Sequence, residues 1–227
     1  GDELYVSDSA HGKILDVIRS EAARRRVRVI ACGKSELGRF EATSAHQGVA
    51  LRLARRVRDG APEDLLVRVA SKKGVIVALD QLTDPHNIGS IIRTVEVLGG
   101  DAVVMAKAHS PGVTPTVVKS SAGATAHLDV RTVPNLARFL DEAKRAGFTI
   151  IGTSGEGSSE MSMLAESLPA VVIIGNEGEG MRSLTAKMCD FSVRIPVRGR
   201  VSSLNASVAA GIILYELLRY DGGGRRK

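Results

Sequence analysis

Short apolar runs alternate with amphipathic stretches along most of the chain. The runs have the length of strands, and between them apolar residues recur every three or four positions, as on one face of a helix. In the larger part of the chain this pattern predicts strands at 75–79, 102–106, 149–153, 171–175 and 193–197. It predicts helices at 88–98, 113–121, 136–146, 181–188 and 205–219. Such alternation indicates an α/β fold with a parallel sheet covered on both faces.

The first 57 residues show the same alternation on a smaller scale. The pattern predicts strands at 4–6, 27–31 and 49–53, with helices at 11–24 and 37–40. A unit of about 55 residues is small for an independent core, and it starts directly with a strand, so we expect it to lack a first strand and helix. The predicted organisation is a small α/β domain at 1–57, a charged linker at 58–73, a main domain at 74–221 and a disordered Gly-rich tail at 222–227.

The excess of positive charge lies at the front of the chain. Residues 1–58 hold 12 Lys and Arg against 7 Asp and Glu, whereas the remaining residues hold 19 against 18. A basic region attached to a nearly neutral body indicates a polyanionic partner, usually nucleic acid. With four Phe, three Tyr and no Trp, base stacking is a poor source of binding energy, so phosphate contacts would dominate.

Several classes of protein are disfavoured by composition. No apolar run approaches the ~20 residues of a membrane span, and the acidic start shows no signal core. Cys32 and Cys189 form neither a CxxC pair nor a disulfide framework, which favours a reducing compartment and hence the cytoplasm. The two Cys and five His are scattered without ligand spacing, so we expect no metal site.

Polar and Gly residues concentrate in three loops after predicted strands, where parallel sheets bind their ligands. The first loop runs D-P-H-N-I-G-S at 84–90 and is followed by Arg93. Asn87 lies near the predicted helix start, so it either caps the helix or meets a ligand. Arg93 is either a surface cation or a functional one, and this loop alone leaves both alternatives open.

The other two loops have different chemistry. The second runs G-N-E-G-E-G-M at 175–181; its glycines permit close approach to a ligand, and its two Glu favour a cationic ligand over phosphate. The alternative is a Gly-rich turn with solvated carboxylates. The third, at 195–207, leads into the last predicted helix, which Ser203 or Asn205 can cap. The small residues at 206–211 make that helix slim enough for close packing.

Together the three loops resemble the three motifs of the SpoU family of RNA ribose 2′-O-methyltransferases, within the SPOUT class. The resemblance covers residues 74–220, and the run S-S-L-N-A-S-V-A at 202–209 is a close match. It implies a Rossmann-like parallel sheet tied in a trefoil knot (a rare exception to unknotted topology), homodimers, and S-adenosylmethionine as cofactor. By resemblance the cofactor positions are Thr153, Gly175, Ile195 and Leu204. The catalytic positions are Asn87, Arg93, Glu177, Ser203 and Asn205.

The resemblance also implies roles and a substrate. Arg93 would gather a phosphate and the ribose hydroxyl, because a guanidinium is a poor base; the proton acceptor stays open. Asn87, Ser203 and Asn205 would orient Arg93 and the ribose, and Glu177 would orient Arg93 or offset its charge. The front domain resembles the RNA-binding domain of bacterial members that methylate a guanosine of 23S rRNA.

Three alternatives stay open beside this interpretation. Within the same chemistry, the substrate is a tRNA, or the enzyme is an rRNA methyltransferase that confers antibiotic resistance. From another class, the chain is a non-catalytic RNA-binding or ribosome-assembly protein on a SPOUT scaffold, although binding alone would not require the whole polar set. A nucleotide-dependent oxidoreductase is disfavoured, because no G-x-G-x-x-G follows the strand at 75–79.

Overall fold

The chain divides into two compact units, Gly1–Arg56 and Val57–Lys227. A computed structural model describes residues 2–40, 46–52, 62–155, 161–201 and 203–219. The predicted tail at 222–227 lies outside the described residues. None of the described helices is long and apolar enough to cross a membrane.

The front unit is a three-stranded sheet with two helices. Its elements in chain order are β1 (Glu3–Ser7), α1 (Lys13–Arg24), β2 (Arg28–Cys32), α2 (Lys34–Leu37) and β3 (Val49–Arg52). Strand β1 lies in the centre, parallel to β2 and antiparallel to β3. Its core is small, with Leu4 and Val6 of β1 packed on Leu15 and Ala22 of α1. Such a core provides modest stability, as expected for a unit of this size.

The second unit is built on six parallel strands in the order β6-β5-β4-β8-β7-β9. The strands are β4 (Val75–Leu79), β5 (Ala102–Ala106), β6 (Asp129–Val133), β7 (Thr149–Thr153), β8 (Ala170–Ile174) and β9 (Phe191–Val193). The helices are α3 (Pro62–Ala70), α4 (Pro85–Leu98), α5 (Pro115–Ser120), α6 (Leu136–Arg145), α7 (Ser183–Lys187) and α8 (Ala206–Arg219). Short 3-10 helices form at Ala124–Ala126 and Met161–Glu166.

Helices cover both faces of this sheet, as the sequence predicts. Alternate residues of the buried strands point to opposite faces. On one face, Val77 packs with Ile88 of α4 and Leu214 of α8; on the other, Ile76 packs with Leu65 of α3 and Phe139 of α6. All six residues have exposures of 1% or less, so each face has its own core. The predicted α/β class with a parallel sheet is confirmed.

Two elements differ from the sequence predictions. Residues Pro62–Ala70, within the predicted linker, form helix α3, which buries Leu65, Leu66 and Val69 in the second unit. Strand β6 was not predicted, because D-V-R-T-V carries two charged residues. Its Arg131 is buried between Asp64 of α3 and Asp129. The same ion-pair cluster therefore explains both differences.

Other boundaries differ less. The predicted strand at 193–197 is instead Phe191–Val193, and residues 194–201 form a loop along the carboxyl edge of the sheet. The predicted helix at 37–40 is α2, which ends at Leu37. Pro85 starts α4 three residues earlier than predicted, because Asp84 caps the helix.

Candidate active site at the carboxyl edge

Asn87 is part of a partly buried polar contact and does not cap its helix. The cap of α4 is Asp84, whose Oδ1 accepts a hydrogen bond from the backbone N–H of His86 at 2.9 Å. Asn87 lies in the first turn with 8% of its surface exposed. Its Nδ2 donates to Oε1 of Glu177 at 2.8 Å. Of the two alternatives for Asn87, the structure therefore excludes the capping role.

Asn205 both caps α8 and closes the same cluster. Its Oδ1 accepts from the backbone N–H of Ser207 at 3.0 Å, which is a normal N-cap bond. Its Nδ2 donates to Oδ1 of Asn87 at 2.9 Å and to Oε1 of Glu177 at 2.7 Å. The backbone N–H of Ala206 donates to the same Glu177 oxygen at 3.1 Å. One carboxylate oxygen thus joins the first turns of α4 and α8.

The loop that carries Glu177 is fastened to the end of β4. Asp80 is fully buried, and its two carboxylate oxygens accept from the backbone N–H of Arg182 at 2.9 Å and from Arg182 Nε at 2.7 Å. Asn176 Nδ2 donates to the carbonyl of Gln81 at 3.1 Å, and Asn176 and Gly180 bond to each other across the loop. These contacts fix the turn that positions Glu177.

A cleft of about 670 Å³ opens beside this loop. The four predicted cofactor positions all line it: Thr153, Gly175, Ile195 and Leu204. Thr153 directs its hydroxyl to the carbonyl of Ile173 at 2.8 Å. A Cβ on Gly175 would lie 2.5 Å from the carbonyl carbon of Gly180, so the loop can close only because Gly175 has no side chain.

The lining of the cleft suits an organic ligand that has apolar parts and a positive charge. Ile174, Val193 and Ile213 supply apolar walls, and Glu177 and Glu179 supply carboxylates. Pockets for small molecules combine such apolar walls with a few placed polar groups. Among the described residues, no group of three His, Cys, Asp or Glu is placed to hold a metal ion.

Arg93 and Ser203 stay apart from the amide–carboxylate cluster. Arg93 is exposed on α4, and within the described ranges no carboxylate or hydrogen-bond acceptor contacts its guanidinium. The predicted orientation of Arg93 by Glu177 is therefore absent from the structure, since Asn87, Asn205 and Ala206 occupy the bonded Glu177 oxygen. Ser203 is exposed at the cleft.

Sequence reasoning missed the residues that support the loop. Asp80 directly follows the apolar run Val75–Leu79, and a carboxylate in that position could have indicated a buried contact. Nothing in the sequence indicates that its partner is Arg182, because the two residues lie 102 positions apart.

The fold and the site define an α/β protein with an organic-cofactor cleft and an adjoining amide–carboxylate cluster at the carboxyl edge. A sequence profile described as the SpoU rRNA Methylase family matches residues 74–215. The chain is 41% identical over 180 residues to YacO of Bacillus subtilis, whose name places it in the TrmH family of tRNA/rRNA methyltransferases. That match covers 78% of this chain and 72% of YacO.

Solved structures agree with this relationship. The SpoU methyltransferase AviRb of Streptomyces viridochromogenes has a TM-score of 0.77 and 31% identity, over 96% of this chain and 80% of AviRb. Its complex with AdoMet has a TM-score of 0.76 and 29% identity, over 98% and 83%. The A. aeolicus TrmH/SpoU tRNA modifying enzyme has a TM-score of 0.59 and 28% identity, over 70% and 83%. The chain belongs to the SpoU rRNA Methylase family.

Proposed function

We propose that this protein transfers a methyl group from S-adenosylmethionine to a ribose 2′-hydroxyl of RNA, with a guanosine of 23S rRNA as the target. The observation that carries the proposal is the joining of the three predicted motifs by Asn87, Glu177 and Asn205 beside the cleft. S-adenosylmethionine supplies a methyl group that its sulfonium already activates.

The residues of the cleft fit this cofactor. The apolar walls suit the adenine ring and the methionine side chain, and Gly175 borders the cleft with backbone atoms only. The carboxylate of Glu179 is exposed at the cleft and suits the amino group or the sulfonium charge. Thr153, Gly175, Ile195 and Leu204 would hold the cofactor, as the family resemblance suggests.

Catalysis by this chain is mainly alignment. Holding the ribose hydroxyl in line with the transferred methyl group is worth several kcal/mol, up to about 7–11 in well-oriented systems. Asn87 and Asn205 use both ends of their amides within the cluster, so their role is to set the positions of α4 and α8. Arg93 and Ser203 have groups available for RNA, and Arg93 would hold a phosphate next to the target ribose.

A second copy of the chain is part of the proposal. Arg93 and Val97 lie one turn apart on the exposed side of α4, and α8, which packs against α4, exposes Val208, Ile212 and Tyr215. An apolar surface beside an available arginine suits a homodimer in which Arg93 serves the partner's site. The proposal also includes a trefoil knot in the second unit, which the resemblance to the SpoU family implies.

The front unit supports rRNA over tRNA as substrate. The A. aeolicus tRNA modifying enzyme covers 70% of this chain, which is less than the length of the second unit alone. The front region carries most of the chain's net positive charge. We therefore propose that it binds the larger RNA, and tRNA is the second candidate because of the name given to YacO.

The test is methyl transfer from labelled S-adenosylmethionine to unmethylated 23S rRNA and, in parallel, to unmethylated tRNA. Ribose methylation is mapped by stops of reverse transcriptase. We expect a stop at one 23S guanosine, which Arg93→Ala abolishes. A stop in tRNA alone would identify tRNA, in place of 23S rRNA, as the substrate. Cofactor binding without methyl transfer to either RNA would contradict the proposed activity.

A further inference from the structure

Positive charges at the two edges of the six-stranded sheet have different surroundings. At the amino edge, three aspartates lie at or just before the start of a strand, and each forms an ion pair with a nearby Lys or Arg. The pairs are Lys72–Asp101, Arg68–Asp129 and Lys144–Asp190. These pairs neutralise much of the charge at that edge.

At the carboxyl edge, four cations form what we call the cationic rim: Lys107, Arg194, Arg198 and Arg200. Lys107 directly follows β5, and the three arginines lie in the loop after β9. All four are exposed, and over residues 62–155, 161–201 and 203–219 none has a carboxylate within ion-pair distance. Unpaired cations on a surface attract a polyanion.

The rim lies on both sides of the site. In the loop after β9, Ile195 and Val197 line the cleft, whereas the arginines are exposed. On the other side, Lys107 is fixed at the end of β5 by its backbone N–H, which donates to the carbonyl of Val133 at 2.8 Å. Strands β5 and β9 are separated by β4, β8 and β7, so the carboxyl ends of these two strands, which Lys107 and Arg194 directly follow, are about 19 Å apart.

The charge changes sign between the two sides of the rim. Glu177 and Glu179 follow β8, near the middle of the sheet, and both border the cleft. Phosphates would be repelled there and attracted on either side. A strand in a nucleic acid helix advances about 3.4 Å per nucleotide along the axis, so the distance between the two strand ends corresponds to about six nucleotides.

We propose that the cationic rim holds the backbone of one RNA strand on both sides of the nucleotide that is methylated. Resting on the proposed function, this assignment adds where the substrate lies on the second unit. Lys107 contacts phosphates on one side of the target, and Arg194, Arg198 and Arg200 contact those on the other. The target nucleoside then lies over the carboxylates, and the phosphate next to its ribose is held by Arg93.

The test measures the salt dependence of RNA binding. The probe is a fluorescein-labelled 12-nucleotide single-stranded RNA of mixed sequence, and its dissociation constant is determined by anisotropy from 50 to 300 mM KCl (about the range over which such binding changes steeply). Lys107→Gln and Arg198→Gln are compared singly and together in the full chain. Lys187→Gln, an exposed lysine at the end of α7, is the matched control.

Each phosphate contact contributes about 0.7 to the slope of log K against log salt for single strands. The slope is negative, and we expect its magnitude to fall by about 0.7 in each single variant and by about 1.4 in the double variant. The control variant should have the same slope as wild type. An unchanged slope in the double variant would contradict the proposal that the cationic rim binds RNA.

A methylation assay on the same proteins separates this result from the proposed function. A rim effect on binding with no methyl transfer by wild type would retain the rim and contradict the methyltransferase proposal. Normal methyl transfer by wild type, with unchanged RNA binding in the rim variants, would retain the methyltransferase proposal and contradict the cationic rim. Cofactor affinity, measured by calorimetry, should be equal in all variants, because none of the substituted side chains lines the cleft.

Discussion

The side-chain amide of Asn205 donates to the side-chain amide of Asn87 at 2.9 Å, although the two residues lie 118 positions apart. Both amides also donate to the same Glu177 oxygen, at 2.7 and 2.8 Å. Each amide is therefore oriented by its contacts, and an acid at either position would place two carboxylates against each other.

Asn205→Asp should distinguish the two roles of Asn205, as the cap of α8 and as a donor to Asn87 and Glu177. An aspartate can still accept from the N–H of Ser207, but it cannot donate to Glu177 or Asn87. Loss of hydrogen bonds to a charged group costs about 1.5–3 kcal/mol, so we expect the free energy of unfolding in urea to fall by about that amount, together with the methylation rate. Ser207→Ala, whose hydroxyl contacts only Asn205 within the cluster, is the control. Equal stability of Asn205→Asp and wild type would contradict the role of the donor.

Arg93→Ala should affect activity without affecting stability. Arg93 is exposed and contributes no ion pair among the described residues, and such surface changes alter stability by about 0.5 kcal/mol or less. Loss of a preorganised charged donor lowers kcat by about 10²–10³. Single-turnover methylation and thermal unfolding give the two readouts, with Arg138→Ala on α6 as the control. A methylation rate close to that of wild type would exclude a role for Arg93.

Asp80→Asn should weaken cofactor binding through the loop. The variant removes the charge that holds Arg182 Nε, so the turn at 175–181 loses one of its attachments. We expect the dissociation constant of S-adenosylmethionine, measured by calorimetry, to rise about tenfold, which corresponds to about 1.4 kcal/mol. Asp84→Asn makes the same chemical change at the cap of α4 and should leave that constant unchanged. Equal affinity in Asp80→Asn and wild type would show that the loop keeps its conformation without the pair.

Stability at low pH should depend on the contact between α3 and β6. A hydrogen bond from Arg131 lowers the pKa of Asp64 below its ordinary value. Since the pKa is lower in the folded protein than in the unfolded chain, the pair stabilises the fold above the unfolded pKa, and this contribution disappears as the pH falls through the folded pKa. Asp64→Asn should therefore be less stable than wild type at pH 7, and this difference, measured by urea unfolding, should shrink steadily as the pH falls below the ordinary carboxyl pKa. A difference that persists in acid would assign the effect to packing of α3.

The two cysteines should be unreactive in the folded protein. Burial raises the pKa of the Cys189 thiol to about 11, with a further contribution from Asp190, and burial also raises the pKa of Cys32. The thiolate is the reactive form, so alkylation by iodoacetamide at pH 8 should be much slower in the folded protein than in urea. Rapid labelling of Cys189 without denaturant would show that its surroundings open readily.

The sequence predicts strands β4, β5, β7 and β8 to within one residue. Strands β4, β5 and β8 are continuous apolar runs, and β7 has a β-branched T-I-I start directly after Gly147 and Phe148. Helix α3 and strand β6 escape this reasoning, since their charged residues resemble those of a linker. Their charges are matched only in three dimensions, where Arg131 lies between Asp64 and Asp129. Local patterns contain no information about such distant pairing.

For the site, the sequence predicts the positions of the functional residues better than their contacts. The loop positions of Asn87, Glu177 and Asn205 follow from the predicted strands and the motifs, and the structure brings these three side chains together. Their individual contacts do not follow from the sequence, because either an amide or an arginine would satisfy the Glu177 carboxylate. In the structure the two amides contact the Glu177 carboxylate, and Arg93 is exposed.

The shared Glu177 oxygen also has a consequence for the order in which the protein acquires its site during synthesis. Its partners lie 90 positions before it and 28–29 positions after it. A nascent chain that ends before Leu204 can form β4, α4 and β8, yet it lacks the donors from Asn205 and Ala206 and the Leu204 wall of the cleft. Contacts so distant in sequence form late in folding. The ribosome must therefore release nearly the whole second unit before the protein can bind its cofactor in the arrangement described above.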